Sequence, residues 1–326
     1  MEGQRFSKII ATGSYLPEKI LSNEDLSAIV ETTDEWITSR SGIKKRHIIS
    51  NSQTTSDLAF LAAKSALNKL DKTQKIDMII VATFSPDTAF PSVACLVAHK
   101  LGLVNVPAFD LNAVCSGFIY ALATADLYIK SGMANNILVI GADSVSHYVD
   151  YSDRATCVLF GDGASCVVLS AINNAKHLDS QIIANELQSD ATNYDLLAIK
   201  GALKNGSISG RPYIYMDGRS VFKMAVKSLV NISLSILKNN NYTTDQISWI
   251  VPHQANLRII ESVAKSLNVS MDRVITTVSE HGNTSAASIP LALDDALSNH
   301  KIQRGDIILL MAIGSGFTWG ASLIRY

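Results

Sequence analysis

Phe109-Asp-Leu-Asn-Ala-Val-Cys-Ser-Gly117 runs from an apolar segment into a stretch of small residues, and Val278-Ser-Glu-His-Gly-Asn-Thr-Ser285 does the same late in the chain. The two are corresponding points of an internal repeat. Before the first, Phe60-Leu-Ala-Ala-Lys-Ser-Ala-Leu67 leads through a polar turn to Ile76-Asp-Met-Ile-Ile-Val81. Before the second, Phe222-Lys-Met-Ala-Val-Lys-Ser-Leu229 leads to Ile247-Ser-Trp-Ile-Val251. After each comes a turn and an apolar strand, Asn136-Ile-Leu-Val-Ile140 and Asp306-Ile-Ile-Leu-Leu310. The halves close on Leu159-Phe-Gly-Asp-Gly-Ala164 and Ile313-Gly-Ser-Gly-Phe-Thr318. Two such units pack as similar halves with a site at their junction, and the repeat divides the chain into residues 1–174 and 175–326.

Short apolar runs (77–82, 136–141, 247–251 and 307–312) alternate with stretches whose apolar residues recur every three or four positions (58–70, 116–131 and 220–238). The runs read as strands buried on both faces and the others as helices covering them, an α/β protein. The chain has 326 residues, 47% hydrophobic and 17% charged, which excludes disorder. A net charge of −1 offers no large field for nucleic acid or an anionic membrane. The longest apolar runs are far below the roughly 20 residues that cross a bilayer, and the first residues hold no signal-peptide core, so the expected compartment is the cytoplasm. Four cysteines, 95, 115, 157 and 166, form neither a disulfide framework nor a CxxC pair, and no metal is expected.

Cys115 stands apart from the others. It lies where a strand turns into a helix of small residues, and the positive end of a helix favours thiolate. Cys166 in an apolar strand and Cys95 on a helix read as buried packing residues. His253, in Trp249-Ile-Val-Pro-His-Gln-Ala-Asn256, follows a strand at the end where ligand-facing side chains collect in α/β folds. Asn283 occupies, in the second half, the turn that Cys115 occupies in the first. Its amide can donate to a developing oxyanion, although asparagine is also a favoured helix cap. The glycines after Ile313 carry no phosphate-loop signature and let backbone N–H groups approach a reacting carbonyl. Asp162, between two glycines, reads as a tight turn without chemistry.

These residues resemble β-ketoacyl-acyl-carrier-protein synthase III, the initiating condensing enzyme of type II fatty-acid synthesis, over nearly the whole chain. The motifs are Asp34-Glu-Trp-Ile37, Ser41-Gly-Ile43, Ala89-Phe-Pro-Ser92, Asn112-Ala-Val-Cys-Ser-Gly-Phe118, Asp153-Arg154 and Phe160-Gly-Asp-Gly-Ala164. The second half adds Val221-Phe-Lys223, Pro252-His-Gln-Ala-Asn-Leu-Arg258, Gly282-Asn-Thr-Ser-Ala-Ala-Ser288 and Gly316-Phe-Thr-Trp-Gly320. The resemblance implies a thiolase-like αβαβα five-layer fold of two pseudo-repeated halves, in a homodimer.

By position it makes Cys115 the nucleophile and His253 and Asn283 its partners, with the amides of Cys115 and Gly316 as oxyanion hole. Coenzyme A thioester is a substrate, and no metal or redox cofactor is implied. Trp36 and Arg154 match the residues that sandwich its adenine, and Arg40 lies near its phosphates. Thr32, Gly218, Phe222, Asn256 and Ile259 follow the channel. Phe90 (from the partner subunit), Val145, Phe160 and Leu197 match the acyl pocket. Lys223 and Arg258 match the docking site for malonyl-acyl-carrier protein, and with Arg40 and Arg154 they would gather at one channel mouth.

Relatives with other chemistry differ at named positions. Thiolases carry a second cysteine in the last glycine loop, where this chain has Ala312-Ile-Gly-Ser315. Elongating condensing enzymes pair the cysteine with two histidines rather than His253 and Asn283. His281 reads as a residue behind the site. An acyltransferase of this fold acting on an alcohol or amine, a cysteine hydrolase and a non-catalytic scaffold are the alternatives. The primer's chain length is left open.

Overall fold

The computed structural model describes residues 5–71, 73–172, 179–205 and 207–326, so the expected boundary between the halves at 174 and 175 lies outside the described residues. One sheet has the strand order β1 (Phe6–Tyr15), β7 (Gly163–Ile172), β6 (Asn136–Asp143), β4 (Met78–Ala82), β5 (Ala108–Leu111). The second runs β11 (Trp249–Pro252), β12 (Ile307–Gly314), β13 (Thr318–Arg325), β8 (Gln181–Ser189). Two ribbons, β2 (Lys19–Ser22) with β3 (Lys45–Ile48) and β9 (Leu197–Lys204) with β10 (Ser207–Met216), lie outside these sheets.

The sheets repeat one plan. In the first, β5, β4 and β6 are parallel while β7 and β1 add antiparallel. In the second, β11 and β12 are parallel while β13 and β8 add antiparallel. The counterpart of β5 has shrunk to a single parallel bridge between Val274 and Ile250.

Alternation along the strands builds the layers. On β6, Ile137 and Val139 face the middle of the molecule, and Leu138 and Ile140 face out. On β12, Ile308, Leu310 and Ala312 face the middle, and Leu309 and Met311 face out. Helices α5 (Gly117–Lys130) and α10 (Ser288–Ser298) fill the middle layer, buried on nearly every side. Helices α3 (Thr55–Leu67) and α4 (Val93–Lys100) cover the first sheet's outer face. Helices α7 (Gly218–Asn239) and α8 (Leu257–Ser266) cover the second. The result is the expected αβαβα five-layer fold of two pseudo-repeated halves, with both sheets apolar on both faces. The remaining short helices are α1 (Asn23–Ser27), α2 (Asp34–Ser41), α6 (Arg154–Cys157) and α9 (Val278–His281).

At 22 residues α7 is long and apolar enough by composition to cross a membrane. Its buried residues, Ala225, Leu229, Ile232 and Ile236, recur at helical spacing and pack on the second sheet. Two expectations fail. Cys95 sits on α4 as expected but is exposed. Asp162 is fully buried rather than at the tip of a turn. Its carboxylate accepts from the Ile49 and Ser146 amides, both at 2.8 Å, so it ties β3 to the chain after β6.

Candidate active site

Both halves turn from strand to middle helix in the same way. Asn112 Oδ1 accepts from the Val114 amide at 3.1 Å, Val114 has φ +48°, and a 3-10 turn over Val114–Ser116 leads into α5. Asn283 Oδ1 accepts from the Ser285 amide at 2.9 Å, Ser285 has φ +52°, and Ser285–Ala287 leads into α10. The counterpart of Asn283 is therefore Asn112. Cys115 matches Ala286, three residues further on, which corrects the expected pairing. The same spacing aligns the strand ends, Asp143 with Gly314, because β6 and β12 finish there. Asp143 Oδ2 accepts from the Ala286 amide at 3.1 Å. At Gly314 a Cβ would lie 2.9 Å from the Cys115 amide nitrogen. A side chain thus occupies this amide site in one half, and a glycine leaves it open in the other.

His253 follows β11, with its amide donating to Met311 O at 2.8 Å. Its Nδ1 lies 2.6 Å from Ser288 Oγ at the start of α10. Gln254 locks the segment by donating to Pro252 O and Ile275 O and accepting from the Thr277 amide. Cys115, His253 and Asn283 line one channel of about 300 Å3. With Asn283 Oδ1 engaged in its own turn, Nδ2 is the group left for that channel. Cys115 also lines a second, mainly apolar cavity of about 260 Å3 with Phe84, Val145, Ile199 and Ile214. The thiol sits where the two spaces meet.

Burial governs the charges. It pushes the Cys115 thiol up to about 12, overriding the helix terminus that favours thiolate. It pushes His253 down to about 4, so the imidazole is neutral. The thiol and the imidazole thus line the channel as buried, neutral groups.

A profile described as 3-oxoacyl-[acyl-carrier-protein] synthase III matches residues 109–191, and its C-terminal companion matches 237–326. A β-ketoacyl-[acyl-carrier-protein] synthase III of Neisseria meningitidis is 55% identical over 99% of this chain and 100% of its own. The chain belongs to the β-ketoacyl-acyl-carrier-protein synthase III family. The crystal structure of the Aquifex aeolicus synthase III aligns with a TM-score of 0.91 at 46% identity, covering 98% of this chain and 100% of that one. That of Pseudomonas aeruginosa aligns at 0.92 with 38% identity, covering 98% of each.

In this synthase III chain α2 presents Trp36 and Arg40 to the channel. Thr33 caps the helix by accepting from the Trp36 amide at 3.0 Å, and Gly42 ends it at φ +77°. A Cβ on Gly42 would lie 2.5 Å from Leu257 Cβ, so the glycine lets α2 close on α8. Asn256 Nδ2 donates to Arg40 O at 3.0 Å across that junction. Gly218, Phe222 and Ile259 also line the channel. Arg40 and Arg154 lie 4.7 and 4.8 Å from the Trp36 ring centre, and Arg258 lies 5.9 Å from that of Phe222. Arg154 rests on the Trp36 ring.

Not every expected residue joins this site. Thr32 is outside the channel lining, with its Oγ1 sealed from solvent and without a hydrogen-bond partner among the described residues. Lys223 opens instead on an adjoining groove with Lys227 and Asp190. Arg40 lines the channel and Arg154 and Arg258 stack on its lining residues Trp36 and Phe222, whereas Lys223 faces the adjoining groove. Phe160 and Leu197 line both spaces, and Ser315 Oγ donates to Leu197 O. Phe90 is 86% exposed and lines neither. Gly316, at φ +133°, lies between Ser315 of the apolar cavity and Phe317 of the channel. His281 lines neither space and lies beside His47, their ring centres 6.2 Å apart.

Asp143, Ser285 and Ser288 belong to the site, yet the sequence does not single them out. An acid ending an otherwise apolar buried strand is the available signal for Asp143. The serines lie within the Gly282–Ser288 motif, but nothing there distinguishes them from helix-turn residues.

Proposed function

We propose that the chain performs an initiating condensation, using acyl-CoA, with acetyl-CoA as the reference primer, and malonyl-acyl-carrier protein. The supporting observation is one buried thiol shared by a mainly apolar cavity and a channel that brings in His253 and Asn283.

In the first half-reaction Cys115 Sγ attacks the thioester carbon. The amides of Cys115 and Gly316 receive the oxyanion, and Gly314 keeps the Cys115 amide accessible. The C–S bond to CoA breaks, and the proton lost by Cys115 balances the one taken up by CoA. The acyl chain then occupies the cavity of Val145 and Phe160. In the second half-reaction His253 Nε2–H and Asn283 Nδ2 donate to the malonyl thioester carbonyl. Loss of CO2 leaves an enolate whose charge those donors stabilise. The carbanion attacks the acyl carbon, and the electron pair of the breaking bond returns to Sγ, which regains a proton.

Arg258, stacked on Phe222 of the channel, offers a cation to the acidic carrier protein, and Lys223 with Lys227 offers two more in the adjoining groove. A homodimer fits the free edge of β5 and the exposed Phe90, which would enter the partner's acyl cavity. The test is mass spectrometry after incubation with acetyl-CoA. One acetyl group should appear on Cys115 and vanish as malonyl-carrier protein yields CO2 and 3-ketoacyl product. Labelling that survives Cys115→Ser, or steady release of acetate at the condensation rate, overturns the reading.

A further inference from the structure

Asp143 ends β6 with a fully buried carboxylate that is surrounded by neutral donors. Thr83 Oγ1, the Phe84 amide and Ser85 Oγ donate to Oδ1 at 3.0, 2.9 and 2.8 Å, and the Ala286 amide donates to Oδ2. Beside it is Ser285, held in the left-handed region and lining the apolar cavity with Cys115. Its Oγ is sealed from solvent and completes no hydrogen bond of good geometry. Ser285 shares the cavity wall with Cys115 and directly precedes Ala286, whose amide donates to Asp143, so its hydroxyl lies beside both groups and favours the charged form of each, while the Asp143 charge opposes the thiolate.

We propose that the Ser285 hydroxyl is a shared donor, turned to Asp143 while Cys115 is protonated or acylated and to Sγ whenever the thiolate forms. This rests on Cys115 being the nucleophile. One hydroxyl proton serves one acceptor at a time, and a thioester sulfur is a weak acceptor beside a carboxylate. When the C–S bond of the acyl-enzyme breaks, charge arrives on Sγ and a charge-assisted bond to Ser285 becomes the better choice. Serine keeps its proton throughout, so no atom is transferred. The left-handed turn holds Ser285 in the cavity wall with Cys115 and directly before the Ala286 amide that donates to Asp143, where its counterpart Val114 carries no hydroxyl.

Other titratable groups facing this cluster are few. His253 shares the channel with Cys115 and is neutral, and Tyr148, on the turn after β6, is raised by burial and by the Asp143 charge.

The test measures the rate of iodoacetamide labelling at the Cys115 peptide from pH 7 to 9.5, with the Kd for acetyl-CoA measured in parallel. Below the thiol's midpoint this rate follows the thiolate fraction, so a tenfold change in the thiol's acidity constant is a tenfold change in rate. Ser285→Ala and Ser285→Gly should each slow labelling of the free enzyme three- to tenfold, a loss read separately from any change in the Kd. The glycine variant also relieves the left-handed strain, so equal effects assign the loss to the hydroxyl. Asp143→Asn should accelerate labelling. Unchanged rates in both serine variants overturn the proposal even if Cys115 is acetylated normally. Failure of the wild type to acetylate overturns the underlying functional reading instead. If Asp143→Asn does not fold, the two serine variants decide.

Discussion

His253 and Ser288 stand where the first half of the molecule has Ala82 and Gly117. In the first half a Cβ added to Gly117 would lie 3.2 Å from Ala82 Cβ. In the second, Ser288 Oγ lies 2.6 Å from His253 Nδ1 and 3.3 Å from the Gln254 amide. The Gln254 amide donates to the serine oxygen, and with the Ser288 hydroxyl donating to Nδ1 the imidazole proton sits on Nε2. The duplicated position has gained a polar pair that presents Nε2–H as a donor.

Ser288→Ala removes that control while leaving Cys115 and both cavities intact. Decarboxylation of malonyl-carrier protein should fall about tenfold, the equivalent of one hydrogen bond of ~1.4 kcal/mol. Acetyl transfer from acetyl-CoA should fall less. Released CO2 and the rate of acyl-enzyme formation measure the two separately, and equal losses would show that Ser288 acts on both steps.

Gly314→Ala places a methyl group 2.7 Å from Ala113 O and 2.9 Å from the Cys115 and Ser116 nitrogens. Those neighbours are backbone and cannot turn aside. Overpacking here should cost about 1–3 kcal/mol of stability and abolish acyl-enzyme formation. Thermal melting and intact-protein mass spectrometry check the two effects.

Val145→Phe adds volume to the wall of the apolar cavity, where Val145 is 1% exposed. Longer primers should be lost first, and acetyl should be the last to survive. A panel of acyl-CoA donors of increasing length, scored by acyl-enzyme mass, reads the cutoff directly.

Buried histidines predict an acid sensitivity. His253 has its pKa lowered from 6.5 to about 4 by burial, so between those values the unfolded chain binds more protons than the folded one. Its contribution is complete above about pH 6.5 and is lost as pH falls toward 4. The loss is about 3 kcal/mol at most for this group. His281, also lowered to about 4, adds in the same direction. Unfolding measured between pH 7.5 and 4.5 should show a shallower fall for His253→Gln than for the wild type. Parallel curves would exclude His253 as a contributor.

Much of the architecture can be read from residue order because it depends on local chemistry. Strands such as β6 and β12 are apolar on successive residues, which requires cover on both faces, and α5 is rich in small and apolar residues all round. That pattern implies sandwiched layers before any contact is known. The Asn-x-Val-Cys and Asn-x-Ser-Ala turns are legible as equivalent for the same reason. Their register is not. Matching the reactive residue of each turn pairs Cys115 with Asn283, whereas the backbone matches Asn112 to Asn283.

Residue order alone determined the two-half α/β plan, the chemical identity of Cys115, His253 and Asn283, and a family assignment carried by many short motifs in sequence. Tertiary structure decided the rest. Burial raised the thiol's pKa where the helix terminus alone predicted thiolate. Crossing backbones brought Asp143 of the first half against the Ala286 amide of the second. Lys223 was turned to another face of α7, away from the three arginines. These outcomes depend on solvent exclusion and on distances between segments far apart in the chain, neither of which is a property of a local stretch of residues.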